Sequence, residues 1–286
     1  MKIFDTTNGN NSFLEYNRNP IELAHFCLID KKRSLAFRKA IFDTVSKGDV
    51  VADIGTGSGI MALFAAKAGA RKIYAVEIHP YVTEFAMRNI ELNRYQDKIN
   101  VICADGRAVN LPKNLDVVII EMVTSGLIDE LLAPVLNSLY KKEIITENTK
   151  LIPYKVDTFV ELVETDFDMY GFKVEIIKYE WPWYENSTRE MSDSVIFSSL
   201  DLGRPFNEIA DKKITFKIKK SGRVNGLRIK SIAHLTRKIK LGVSMAFCAP
   251  VVIPCPEREF REGERVDIRL RYKMGGGYES LIIEYD

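Results

Sequence analysis

The ten residues Val50-Val51-Ala52-Asp53-Ile54-Gly55-Thr56-Gly57-Ser58-Gly59 constrain the fold more than any other stretch of this chain. An apolar run closes on an acid, three glycines follow at alternate positions, and Ile60-Met61-Ala62-Leu63-Phe64-Ala65-Ala66-Lys67 continues as a helical pattern that Gly69 ends. This predicts a buried strand over 50–54, a tight turn and a helix over 58–68. Glycine serves where a ligand comes close to the backbone, because a Cβ obstructs both the approach and positive φ. The next run, Lys72 to Glu77, reads as a strand with an acid at its carboxyl end, 22 positions beyond Gly55. A carboxylate there accepts from both hydroxyls of a ribose.

A glycine-rich turn alone is ambiguous, since dinucleotide-binding enzymes carry G-x-G-x-x-G in the same place. Here the glycines alternate as G-x-G-x-G and Asp53 stands two residues ahead of them. An anion at that point suits a ligand bearing an ammonium and a sulfonium and repels a pyrophosphate; S-adenosylmethionine (SAM) is such a ligand. The bland reading is an ordinary βα turn that happens to be rich in glycine. The whole pattern resembles the first motifs of Rossmann-like, SAM-dependent methyltransferases.

The 286 residues have room for one large or two modest domains. Residues 1–19 are polar and asparagine-rich, and read as a flexible N-terminal arm and not as a signal peptide. Pro20 to Thr44 reads as helical. Strands at 50–54, 72–77, 99–103 and 115–120 then alternate with helices at 58–68, 80–93 and 127–140. Alternating βα units predict an α/β fold with a parallel sheet over 20–152, its ligands at the carboxyl ends of the strands. The pattern changes near Leu151-Ile152-Pro153. Beyond it, Lys155–Glu164, Lys213–Lys219, Arg223–His234 and Arg265–Tyr272 alternate with period two, separated by turn signals at Ser221-Gly222, Asn225-Gly226 and Gly275-Gly276-Gly277. Residues 153–286 therefore read as an antiparallel β-barrel or sandwich, with the glycine triplet as a hairpin loop.

With 41 basic against 39 acidic residues, the net charge of +2 neither demands nor excludes a polyanionic partner. Four cysteines without a C-x-x-C pair suit a reducing cytosol, so the expected location is cytoplasmic. The three histidines lie far apart and no metal site is expected. No apolar run approaches a membrane span.

The stretch Glu121-Met122-Val123-Thr124-Ser125-Gly126-Leu127-Ile128-Asp129-Glu130 follows the strand expected at 115–120. Glu121 leaves a buried strand beside the expected cofactor cleft, and Glu130 falls in the first turn of the next helix. A loop that doubles back aims both carboxylates at one pocket. Read separately, Glu130 favours its helix N-terminus and Glu121 merely ends a strand.

Pro20 to about Pro153 resembles the catalytic core of protein arginine methyltransferases, which join a Rossmann-like SAM domain to a C-terminal β-barrel. That family has two glutamates separated by eight residues, as Glu121 and Glu130 are. Upstream, Leu28-Ile29-Asp30-Lys31-Lys32-Arg33-Ser34-Leu35-Ala36-Phe37-Arg38 is similar to its L-x-D-x-x-R-x-x-x-[YF]-R helix. The resemblance implies that Arg33 binds the SAM carboxylate, as a bidentate guanidinium does well. It further implies that Asp53, Gly55 and Gly57 frame the methionine end, that Glu77 holds the ribose hydroxyls, and that Glu121 and Glu130 are catalytic. Asp105 follows the third strand, where many SAM enzymes place an acid on the adenine amino group; the family's own adenine glutamate comes later, where this chain has Arg107.

The chain departs from the family at Met122 and Ser125, where aromatics are usual, and at Met245-Ala246-Phe247, where the family has Thr-His-Trp. The expected activity is methyl transfer from SAM to nitrogen, with a protein arginine as acceptor. RNA methylation and methylation of a small guanidine or amine are the alternatives. Against RNA, Glu121 stands where base-methylating enzymes carry a proline–aromatic motif for a flipped base. Tyr179 to Tyr184 is rich in aromatics, so residues 165–195 either form an arm for a homodimer or bury those rings within the second half.

Overall fold

The computed structural model describes residues 19–285; the expected N-terminal arm lies outside them, apart from Asn19. The Asn19 side chain accepts from the backbone N–H groups of Ile21 and Glu22 and starts α1 (Pro20–Ile29), with Pro20 in the first turn. The stretch to Thr44 is helical as expected, but divides at Asp30. Its carboxylate accepts from Arg33 N at 3.1 Å, so it caps a second helix, α2 (Lys31–Thr44). The βα units follow: β1 (Val50–Ile54), α3 (Ile60–Ala68), β2 (Lys72–Glu77), α4 (Pro80–Leu92), β3 (Ile99–Cys103), β4 (Val117–Ile120), α5 (Leu132–Lys141) and β5 (Lys150–Ile152).

These five strands form a parallel sheet in the order β3-β2-β1-β4-β5. Every residue of β4 is buried, as a strand covered by helices on both faces requires. The strand order reverses between β1 and β4, and that is where the crevice of an open α/β sheet lies. In register, Asp53 stands beside Ile119 and Ile54 beside Ile120, so the glycine turn and Glu121 leave the sheet side by side.

Two residues, Pro153 and Tyr154, separate β5 from β6 (Lys155–Glu164). Short strands follow: β7 (Asp168–Met169), β8 (Phe172–Lys173), β9 (Lys178–Tyr179) and β10 (Arg189–Glu190). Longer ones complete the second half: β11 (Val195–Asp201), β12 (Ile209–Lys217), β13 (Gly222–His234), the short β14 (Lys240–Leu241), β15 (Val251–Phe260), β16 (Arg265–Lys273) and β17 (Ile282–Tyr285). They make a seven-stranded antiparallel sheet centred on β6, β13 and β15, a three-stranded sheet β12-β16-β17 and the two-stranded β7–β8 hairpin. Along β16 the alternation is direct: Val266, Ile268, Leu270 and Tyr272 are buried between exposed or half-buried neighbours. The glycine triplet lies between β16 and β17, which pair as a hairpin.

Asn225-Gly226 is not a turn. It lies inside β13, where the register with β15 shifts between Val224 and Gly226. The Asn225 side chain is spent on Thr165, accepting its N–H at 2.9 Å and donating to its carbonyl at 2.8 Å. A Cβ on Gly226 would lie 2.7 Å from Val252 Cγ1, so close strand approach selects the glycine. Among the described residues no helix is long and apolar enough to cross a membrane.

Candidate active site

The turn after β1 takes left-handed backbone at Gly55 (φ +76°) and Gly57 (φ +54°), conformations that glycine adopts freely. Gly55 N and Thr56 N both donate to Val76 O at 2.9 Å, which ties the turn to β2. Glu77, 7 % exposed, spans the same two elements: Oε2 accepts from Gly57 N and Oε1 from His79 N, each at 3.0 Å. Asp53 is buried and accepts from the Thr56 hydroxyl at 2.6 Å. Burial pushes its carboxyl up to about 7, against the Thr56 hydroxyl, the Ala62 N–H and the Arg33 charge, which favour ionisation.

Arg33 projects from the first turn of α2 and is 5 % exposed. Its Nη1 donates to Cys27 O at 2.9 Å and its Nη2 pairs with Glu121 Oε2, while the buried Nε has no partner. Burial works to lower the Arg33 pKa, but the Glu121 charge outweighs it and holds the guanidinium above its usual range. Glu121 is raised by burial, with Arg33 opposing.

The loop after Glu121 doubles back through Gly126 (φ +73°) and Leu127 (φ +57°) in a single 3₁₀ turn, Ser125–Leu127. Glu130 stands just ahead of α5, which begins at Leu132, and not within its first turn. The charges of both glutamates act on the same two thiols. The Cys27 thiol is pushed up to about 12 by burial, and then by the charges of both Glu121 and Glu130. The buried Cys248 thiol is raised by burial and by the same two carboxylates together with Asp129.

The second half grips this loop at successive points. The Cys248 thiol donates to Val123 O (3.3 Å), the Ser125 hydroxyl to Ala249 O (2.8 Å), and Gly126 N to the Ser231 hydroxyl (2.9 Å). Gly275 N and Gly277 N donate to Leu127 O and Ile128 O, each at 2.9 Å. Asp30 makes a second joint: its Oδ2 accepts from Ser244 Oγ at 2.5 Å and from Ala246 N at 2.9 Å. Those two bonds, with the Arg33 N–H and charge, outweigh its burial and hold its carboxyl below the usual range. At the departures from the family pattern, Met122 packs over the glycine turn, 3.4 Å from where a Cβ on Gly55 would stand. Ser125 is a buried anchor, and Phe247 meets Phe37 edge-on at 6.1 Å.

Asp105 does follow β3, but its carboxylate faces its own neighbour. Arg107 donates to it from Nε (2.9 and 3.1 Å) and Nη2 (2.7 Å), and these contacts hold it below the usual carboxylate range against burial. Sequence reasoning passed over Ser231 and Ser244, and read Tyr179 only as part of an aromatic stretch. The Tyr179 hydroxyl donates to Asp129 Oδ2 at 3.3 Å, and its ring begins a ladder of near-parallel rings, Tyr179–Trp181–Trp183, with 6.2 Å between successive centroids. Trp183 Nε1 donates to Met245 O at 3.3 Å. Only the i, i+2, i+4 spacing of these aromatics on an extended segment signalled the ladder.

Residues 29–168 match the TRM5/TYW2 methyltransferase domain model. Protein arginine N-methyltransferase 9 of Xenopus laevis is 30% identical over 161 residues, covering 54% of this chain and 19% of that much longer protein. The chain is a SAM-dependent, arginine-methyltransferase-like enzyme. An uncharacterised protein of Methanocaldococcus jannaschii is 32% identical over 258 residues, 90% of this chain and 94% of that one, and the methyltransferase belongs to its family. In fold the methyltransferase is similar to the Trypanosoma brucei PRMT1 enzyme–prozyme complex with AdoHcy, with a TM-score of 0.75, 19% identity and 92% of both chains covered. A Rossmann-like core followed by antiparallel sheets is the shared architecture.

Proposed function

We propose that this methyltransferase transfers the SAM methyl group to a guanidinium nitrogen of arginine in a polypeptide, with residues 20–152 as the SAM-binding domain and 153–286 covering the acceptor. The observation that carries the reading is the loop from Glu121 to Glu130, which turns back through Gly126 and Leu127 beside the β1–β4 crevice, with Glu121 already bonded to one guanidinium, that of Arg33.

The residues present fit SAM. The unpartnered, buried Arg33 Nε is a donor for its α-carboxylate, and the buried Asp53 carboxyl is a partner for its ammonium, which draws out the charged form. Gly55 and Gly57 keep side chains out of its path, and Glu77 sits at the end of β2 for its ribose hydroxyls. Asp105 is the candidate for the adenine amino group, a role in which it exchanges its Arg107 contacts. When bound, SAM supplies an electrophilic methyl on a sulfonium.

The chain's own task is to present a nitrogen lone pair. A free guanidinium has a pKa of about 12.5 to 13.8, so about one in 10⁶ is neutral at pH 7, equivalent to about 8 kcal/mol. Two carboxylates that grip the planar fork avoid that step: paired N–H···O bonds orient it and draw positive charge away from the attacking nitrogen. Fixed orientation makes the displacement effectively intramolecular. The proton leaves after the N–C bond forms.

RNA methylation is the second reading, favoured by the TRM5/TYW2 match. Incubation with labelled SAM and total lysate separates the two: label released by protease and resistant to ribonuclease is expected, and the reverse result assigns RNA. Glu121→Gln and Glu130→Gln should each retain SAM binding and lose transfer; unchanged turnover in both removes the two-carboxylate mechanism. The β7–β8 hairpin exposes Tyr170 and Phe172, an apolar surface suited to a second copy of the chain, which light scattering would detect as a dimer.

A further inference from the structure

The structure assigns a positioning role to Ser231 and Thr158, two hydroxyls of the second half that fix the loop joining the two glutamates. This rests on the reading of Glu121 and Glu130 as the acceptor clamp. The two residues face each other in the β6–β13 register, with their oxygens 3.0 Å apart, and are 3 % and 1 % exposed. Gly126, near the middle of the loop, donates its N–H to Ser231 Oγ at 2.9 Å. The Ser231 oxygen thus accepts from Gly126 while sharing a hydrogen bond with the Thr158 hydroxyl, which fixes its position.

The loop needs such a hold. Gly126 and Leu127 are consecutive left-handed residues, and Leu127 has a Cβ that disfavours its φ of +57°. Around Gly126 there is little room: a Cβ would lie 3.0 Å from the Ile128 side chain and 3.2 Å from the Tyr272 hydroxyl. The hydroxyl pair sits on two long, mutually paired strands. It therefore transmits the rigidity of that sheet to the separation of the two carboxylates. The Arg33, Asp53 and Glu77 side chains lie on the other half and take no part in this contact.

The test is methyl transfer to a glycine–arginine peptide, with each variant's turnover normalised to the number of S-adenosylhomocysteine sites found by calorimetry. Ser231→Ala should lower kcat per site roughly 10- to 100-fold, the scale of a small misplacement of reacting groups, with nucleoside affinity within about twofold of the parent. Thr158→Val, which keeps the volume and removes the hydroxyl, should lower kcat in the same direction, and Thr158→Ser should restore it. These two variants keep the test valid if Ser231→Ala folds poorly. A merely structural role reduces the number of sites and leaves kcat per site intact. Parental kcat per site in Ser231→Ala and Thr158→Val, alongside loss of transfer in Glu121→Gln and Glu130→Gln, overturns the inference and spares the clamp. Parental transfer in the two glutamate variants overturns both.

Discussion

Asp53 offers a direct test of how the cofactor is held. Its carboxyl is pushed from 3.8 up to about 7 by burial, so about half of the molecules carry a proton there at pH 7. An ammonium beside a carboxylate favours the charged form, so SAM binding at pH 7 should expel about half a proton from Asp53. The ligand's own α-amine, with a pKa near 8, takes up about a tenth of a proton as it binds in the ammonium form, leaving a net release carried by Asp53. Calorimetric enthalpies measured in buffers of different ionisation enthalpy give that release as a slope. In Asp53→Asn the Thr56 hydroxyl keeps an acceptor but there is no proton to lose, so the slope should fall to the small uptake of the ligand. Stability follows with a definite sign. Between about pH 4 and pH 7 the folded protein retains a proton that the unfolded chain has lost, so stability declines as pH rises across that window, by up to about 4 kcal/mol at 1.36 kcal/mol per unit. The Asn variant should flatten that decline. The same proton release in the parent and in Asp53→Asn refutes the assignment of the ammonium to Asp53.

Arg33→Met leaves Glu121 as an uncompensated buried carboxylate and should destabilise the fold by about 3–5 kcal/mol; chemical denaturation of Arg33→Met/Glu121→Gln should recover most of that loss. Asp30→Ala removes the α2 cap and the acceptor of Ser244 and Ala246, for about 2 kcal/mol in thermal unfolding. Because the Asp30 carboxyl is held below its usual range, that contribution is present above about pH 4 and fades as pH falls through its folded value. In Gly106→Ala the new Cβ meets Ile54 Cγ2 at 2.9 Å and Val135 Cγ1 at 3.2 Å, an overpacking worth about 1–3 kcal/mol that denaturant titration would read.

The parallel half was legible because its signals are local. β1 and β2 fall at 50–54 and 72–77 as read, since a strand buried on both faces shows an apolar run and the glycine turn punctuates it. Boundaries failed where a side chain changes the backbone's partner. Asp30 accepts from Arg33 N and so divides the helical stretch into two, and the helix expected from 127 begins at Leu132 because the loop is drawn onto the second half first. Asn225-Gly226 has the letters of a turn, yet Val252 across the sheet is what demands the glycine, and no window of a single strand contains that fact. Among the site residues, Arg33 and Glu121 came from the family resemblance, and the ion pair they form with each other was not part of that reading. Asp105 came from its place after the third strand, and its pairing with the arginine two residues on has no signal in that position. Ser231 was illegible because its partner lies 105 residues away and a serine on a strand has no motif.

Both tryptophans of the chain stand in the Tyr179–Trp181–Trp183 ladder, one end of which touches Asp129 and the other Met245. Indole emission from this molecule therefore originates at a single place, the rim shared by the acceptor loop and the segment docked on Asp30. Any rearrangement of that rim can be followed by intrinsic fluorescence, with no attached dye.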